Sequence, residues 1–242
     1  MEWIYYLEPF LYPLLIFTLI LSIYAQFKVS STFRKYSKVY TARGYNATDV
    51  ARMILSTNGV HNVYVTRVGG SLTDHFDPRS NTLALSDSVY ASTSAAAIGV
   101  AAHEAGHAIQ HSVGYLPIKL RGALVPATSF ASKMSMIVIL LGLFLSALSL
   151  LGTVGYAILL VGVMLFSVTT LFSLVTLPCE FNASRRAITA LRASGWYSDE
   201  ELRCAKKVLS AAALTYVAAT LSSIVTLLRF VVILLGQRGK RE

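Results

Sequence analysis

The sequence predicts a mainly α membrane protein of the α+β kind. It combines transmembrane helices with a hydrophilic domain holding a small β-sheet and one helix rich in small residues. Three observations predict it. Hydrophobic residues make up 55% of the 242 positions and charged residues only 14%, well short of the usual quarter. Four apolar runs approach or exceed the roughly 18 residues that span a bilayer. Between them lie hydrophilic segments, the first of which switches from a period of two to a helical period.

The elements follow in order. The first apolar run covers residues 9–25. The leader before it carries Glu2 and no Lys or Arg, the opposite of the basic start of a cleaved signal peptide, so a retained anchor is expected. Residues 28–45 are basic and polar, a juxtamembrane linker. Thr48 or Asn46 is placed to cap a short amphipathic helix over 50–57, ended by Gly59. Alternating apolar positions in 61–68 read as a strand, and Gly69-Gly70 turns the chain. Residues 72–76 and 82–85 are candidate strands around the turn-forming Asp77-Pro78-Arg79-Ser80-Asn81. Residues 91–113 read as an Ala-rich helix stopped at Gly114.

Runs 137–151 and 156–177 form a hairpin about Gly152-Thr153-Val154-Gly155, which returns the chain to its original side of the membrane. Pro178 marks the exit. Residues 180–194 read as a separate helix ended by Gly195, and Asp199-Glu200-Glu201 opens another with acid at its dipole-favoured end. The last apolar run lies within 211–235. If it crosses fully, Arg238, Lys240 and Arg241 lie opposite the other basic residues, against the positive-inside trend. A short or re-entrant segment is the alternative, and four spans are the preferred reading. The organisation is therefore a 1–27 anchor, a 28–133 hydrophilic segment with the Ala-rich helix and a 134–178 hairpin. A 179–208 second hydrophilic segment and a 209–242 hydrophobic helix with basic tail complete it.

The net charge of +9 does not point to nucleic acid. Of 21 Lys and Arg, 17 fall within 28–133 or 179–207, which places both segments on the cytoplasmic side. No basic-aromatic nucleic-acid motif accompanies them. Cys179 and Cys204 form neither a C-x-x-C pair nor a disulfide framework, as suits a reducing compartment.

Within the Ala-rich helix stands His103-Glu104-Ala105-Gly106-His107. Histidines four residues apart project from one helical face, close enough to hold one zinc ion, and the glutamate beside the first is placed to activate water. A chance H-E-x-x-H in such a chain has odds of roughly one in a hundred. A catalytic zinc needs three protein ligands and an open position. His111 repeats the spacing, but lies roughly 12 Å along the axis from His103 and roughly 9 Å from the level of the ion. Glu180, where the chain leaves the third run, has two readings: an acid complementing a helix dipole, or a ligand from a second helix. The residues alone leave both open.

Three stretches, His103-Glu104-Ala105-Gly106-His107-Ala108-Ile109-Gln110, Leu72-Thr73-Asp74-His75-Phe76-Asp77-Pro78-Arg79 and Glu180-Phe181-Asn182-Ala183-Ser184-Arg185-Arg186-Ala187, together resemble the YugP-like family of neutral zinc metallopeptidases of bacterial membranes. The resemblance covers almost the whole chain. It implies a membrane-embedded gluzincin with a cytoplasmic zincin-like catalytic domain, in which His103, His107 and Glu180 hold one Zn2+ per chain and Glu104 is the general base. One position departs from the pattern. Related membrane proteases usually carry an aspartate four residues after the ligand glutamate, where this chain has Ser184. Asn182, or an acid elsewhere, is then expected to support the ligands.

The function these readings give is a zinc metalloendopeptidase. Its partners are protein or peptide substrates, membrane proteins among them, and the lipid bilayer, with no nucleic acid. Its expected place is the bacterial plasma membrane, active site toward the cytoplasm. Arg186, Tyr216 and His75 are candidates to stabilise the carbonyl oxygen, and the strand near 81–86 could offer its edge to an extended substrate. The competing class is a non-catalytic membrane protein with a structural zinc and a partner-binding cytoplasmic domain. Structural sites usually have four protein ligands and favour cysteine, which this chain does not provide.

Overall fold

The computed structural model describes residues 3–148 and 151–239. Six helices and three strands are described: α1 (Trp3–Tyr36), α2 (Ala47–Thr57), β1 (Tyr64–Val68), β2 (His75–Asp77), β3 (Thr82–Ser86), α3 (Ala95–Ser112), α4 (Leu116–Ala147), α5 (Gly152–Ala193) and α6 (Asp199–Gly239). Glu2, Lys240 and Arg241, on which the anchor and tail readings lean, lie outside the described residues, as does the middle of the α4–α5 turn. Four helices are long and apolar enough to cross a membrane: Pro9–Tyr36, Leu116–Ala147, Gly152–Ala193 and Asp199–Gln237.

The chain divides into two compact units. The first takes Met1–Tyr24, Leu120–Thr176 and Tyr216–Glu242, and the second Ala25–Lys119 and Leu177–Thr215. In the first, α4 and α5 pack backbone against backbone at glycines. A side chain at Gly142 or Gly155 would collide with the main chain at Leu159 or Ser146, and a Cβ at Gly162 would sit 2.8 Å from the Ile139 nitrogen. Such close approach is how helices associate where no hydrophobic force drives them together. Polar contacts join α5 to α6: Thr170 and Ser223 share a 2.8 Å hydrogen bond, and Thr220 donates to the Ser173 carbonyl. Arg229, the charge within the last apolar run, lies 5.0 Å from the Tyr12 ring centre, a cation–π placement for a charge away from water. Phe10, Phe17, Ile20, Ile137, Phe144 and Met164 point outward and exposed, as lipid-facing side chains do.

Two expectations change here. The glycines at 152 and 155 lie inside α5, and the turn comes before them. Pro178 does not separate two helices. α5 runs unbroken for 42 residues through it, because a proline removes one i→i−4 bond and neighbouring turns can hold the helix. Likewise α6 is continuous from Asp199 to Gly239, with no re-entrant break.

The second unit is built around α3. Ser94 caps it by accepting from the Ala97 N–H at 3.3 Å, and Gly114, at φ 66°, takes the left-handed conformation that ends it. Its alanines are fully buried against Val50, Ile54 and Leu55 of α2, Leu83 and Leu85 of β3, Ala187 and Leu191 of α5, and Leu202 and Ala205 of α6. Of the two proposed caps for α2, Asn46 holds the position, accepting from Asp49 N–H at 2.9 Å. Thr48 instead donates to the Tyr90 carbonyl. The start of α6 is a capping box: Ser198 Oγ accepts from Glu201 N–H while the Glu201 carboxylate accepts from Ser198 N–H.

The sheet has the order β1-β3-β2, with β1 parallel and β2 antiparallel to β3. Asp74 ties it together, accepting from the Ser86 N–H at 2.7 Å and the Ser86 hydroxyl at 2.9 Å. Burial pushes the Asp74 carboxyl above its ordinary range, and the Ser86 hydrogen bonds oppose that shift. Asp77 shapes the β2–β3 turn by accepting from Arg79 N–H at 3.0 Å, and the Arg79 side chain holds its carboxyl below the usual range. The acids of the 72–79 stretch therefore build the sheet.

Candidate metal centre

His103 and His107 stand one turn apart on α3, rings 4.7 Å between centres and nearly perpendicular. Both turn Nε2 toward α5. There, Glu180 Oε2 lies 3.2 Å from His103 Nε2 and 3.5 Å from His107 Nε2. Glu180 is 2% exposed. One ligand atom from each residue falls within 4.8 Å of the others, a group that could hold a metal ion. Two ligand atoms at about 2.0–2.1 Å from a tetrahedral ion stand roughly 3.3 Å apart, so the observed spacing fits a single ion. Two imidazoles and a carboxylate are also the donor set of a catalytic zinc with one position open.

The helices reach this distance because Gly106, between the histidines, has no side chain. A Cβ there would lie 2.6 Å from the Ala183 carbonyl oxygen. Ala183 itself is fully buried, so this contact fixes how far Glu180 stands from α3.

Behind the histidines lies a second layer of polar contacts. Ser184 Oγ is 3.1 Å from His103 Nδ1. Gln110 Oε1 is 3.0 Å from His107 Nδ1, and Gln110 Nε2 donates to the Cys179 carbonyl at 2.8 Å and to Asn182 Oδ1 at 3.0 Å. Asn182 Oδ1 also accepts from Arg186 Nε at 2.8 Å. The expectation that Asn182 or a distant acid replaces the absent aspartate is thus revised. Ser184 itself reaches His103, since the close helix approach lets a short hydroxyl bridge the gap, and Asn182 acts on Gln110. Sequence reasoning missed Gln110. Its signal was available: a glutamine three residues after His107, on the same face of an otherwise Ala-rich helix.

Glu104 is buried beside His103 on α3 and is not one of the metal-binding group. His111 lies outside that group, exposed in the last turn, its ring 5.9 Å from Phe76. Arg186 is engaged with Asn182. His75 is exposed on β2, its Nδ1 at 2.9 Å from the Thr73 carbonyl. Tyr216 directly follows Thr215, where this compact unit ends. The strand at 82–86 offers no edge: β3 is central and paired on both sides. The edges are β1 and β2.

The chain resembles known proteins along most of its length. A family model described as "Putative neutral zinc metallopeptidase" matches residues 11–235. The "Putative membrane protease YugP" of Bacillus subtilis (strain 168) is 46% identical over 220 residues, covering 91% of this chain and 94% of the relative. No solved structure matches the chain.

Proposed function

The chain belongs to the YugP-like family of putative neutral zinc metallopeptidases, and from that premise we propose that it is a membrane-embedded zinc metalloendopeptidase of the gluzincin type. His103, His107 and Glu180 hold one Zn2+ per chain, in a zincin-like domain formed by residues 28–133 and 179–208. The observation that carries this is the buried Glu180 carboxylate facing both Nε2 atoms at 3.2 and 3.5 Å. Zinc in such a site supplies Lewis acidity to water and to the substrate carbonyl. Glu104 takes the proton of the attacking water and passes it to the leaving amine. Glu180 and the two imidazoles contribute one negative charge, so the bound divalent site stays net positive. The concentration of Lys and Arg in the two hydrophilic segments supports a cytoplasmic active site in the bacterial plasma membrane.

An extended substrate pairs with β2, the edge strand that meets α3 at the Phe76–His111 contact. N-methylation of alternate amides in a cleaved peptide should raise its KM, and unchanged kinetics for every such peptide would exclude strand pairing.

The test of the metal site is zinc stoichiometry in detergent-purified protein. Wild type should hold one zinc per chain and Glu180→Ala should lose it or bind it far more weakly, since one of three ligands is gone. A folded Glu180→Ala with undiminished zinc would remove Glu180 from the site.

A further inference from the structure

The second layer of polar contacts does more than fill space. Hydrogen-bond chemistry fixes the direction of each of its bonds, starting from two groups that have no choice. Arg186 can only donate, so the Asn182 atom facing its Nε at 2.8 Å is the carbonyl oxygen. The Cys179 main-chain carbonyl can only accept, so the Gln110 atom 2.8 Å from it is the amide nitrogen. The same nitrogen faces Asn182 Oδ1 at 3.0 Å, and the two assignments agree. Gln110 Oε1 is therefore the atom turned to His107 Nδ1 at 3.0 Å. A carbonyl oxygen accepts only, so His107 Nδ1 carries the hydrogen. A histidine binds a metal as the neutral imidazole with one N–H, so with Nδ1 carrying it, Nε2 is the nitrogen that would face an ion beside Glu180.

We propose that Gln110, locked by Asn182 and the Cys179 carbonyl, is a positioning residue that fixes the tautomer and ring orientation of His107. The inference rests on the reading of His107 as a zinc ligand. Metal-bound histidines commonly have their second nitrogen held by a carboxylate or a main-chain carbonyl. Here a neutral amide takes that place. Gln110 is fully buried, and in that setting a second carboxylate beside Glu180 would carry a large desolvation penalty. A glutamine whose oxygen is aimed by two bonds from its own nitrogen gives the orientation without the charge. His103 lacks this directional lock. Its Nδ1 faces the Ser184 hydroxyl, which can donate or accept, so the two histidines are held unequally.

The experiment compares wild type with Gln110→Leu and Gln110→Glu, all full-length in detergent. Two readouts are taken: the imidazole 1H–15N signals of histidine-labelled protein, and zinc affinity by chelator competition. In wild type, His107 Nδ1 should carry a hydrogen held in a hydrogen bond. Gln110→Leu should lose that hydrogen-bonded signal and weaken zinc by roughly 10- to 100-fold. Gln110→Glu retains an oxygen for His107 Nδ1–H but loses the amide donor that aims it, so it should recover the signal in part, whereas a packing role would favour leucine over the buried acid. A folded Gln110→Leu with an unchanged Nδ1–H signal and undiminished zinc affinity would overturn the proposal, as would a wild-type Nδ1 without hydrogen. If wild type binds no zinc yet shows the Gln110-dependent Nδ1–H, the lock stands and the metallopeptidase reading falls.

Discussion

Glu104→Gln should abolish peptide cleavage while zinc stays bound. The substitution keeps size and helix propensity and removes only the ability to take a proton. Glu104 is buried on α3 and is not among the three residues whose ligand atoms converge, so the metal site should be indifferent to the change. General-base catalysis contributes about 10²- to 10⁴-fold, and turnover of a mixed fluorogenic peptide library should fall by that much. The two readouts together separate the enzyme from its competitor. A protein whose zinc is structural would show no library cleavage in either form. An enzyme in which another residue is the base would cleave equally well in both. Only loss of cleavage with zinc retained agrees with the role assigned to Glu104.

What the sequence discloses, and what it hides, divides along physical lines. His103 and His107 are legible because a helix turns any pair four residues apart onto one face, and Ala, Gly and Ile around them leave no other element to consider. Glu180 lies 77 positions from His103, and no local rule connects them. Its convergence on the histidines depends on the α3–α5 approach, which a pattern of apolar residues does not encode. Pro178 misleads for a related reason. In water a proline after an apolar run marks a helix end, yet here α5 continues through it because the cost of one missing bond is smaller than the contacts an unbroken helix retains. The presence of three strands was readable, the first from alternation and the others from the turn between them, but β1 starts at Tyr64 and β2 runs His75–Asp77, later than 61–68 and 72–76. The strand order was not readable, since β3 pairs with β1 across the intervening β2, and that exchange moves the free edge from 82–86 to 75–77. Gln110 and Ser184 were hidden because their partners are ring nitrogens whose positions follow from packing.

The residue that sets this packing is Gly106, and Gly106→Ala should disable the site without touching a ligand. Two effects oppose each other. Alanine is the better helix former, by about 1 kcal/mol relative to glycine. Against that, the new methyl would lie 2.6 Å from the Ala183 carbonyl oxygen and 3.2 Å from the Ala183 Cα. Neither atom belongs to a movable side chain, so relief requires α3 and α5 to separate, and overpacking of this kind costs about 1–3 kcal/mol. The net loss of stability is therefore modest, about 0–2 kcal/mol. The metal site is less tolerant. Glu180 is one turn from Ala183 on α5, and ligand geometry has to hold within roughly 0.5 Å. Zinc affinity in Gly106→Ala should fall at least tenfold, about the loss seen when ligand support is disturbed, and cleavage should fall with it. Gly99→Ala is the control on the same helix. Its Cβ would meet the Ala205 Cβ at 3.2 Å, Cα at 3.3 Å and carbonyl oxygen at 3.4 Å, spacings that a shift of a few tenths of an ångström relieves, and it stands two turns before Gly106. Gly99→Ala should keep its zinc and its fold. If both alanine variants bind zinc as wild type does, the Gly106–Ala183 contact does not set the distance between Glu180 and the histidines.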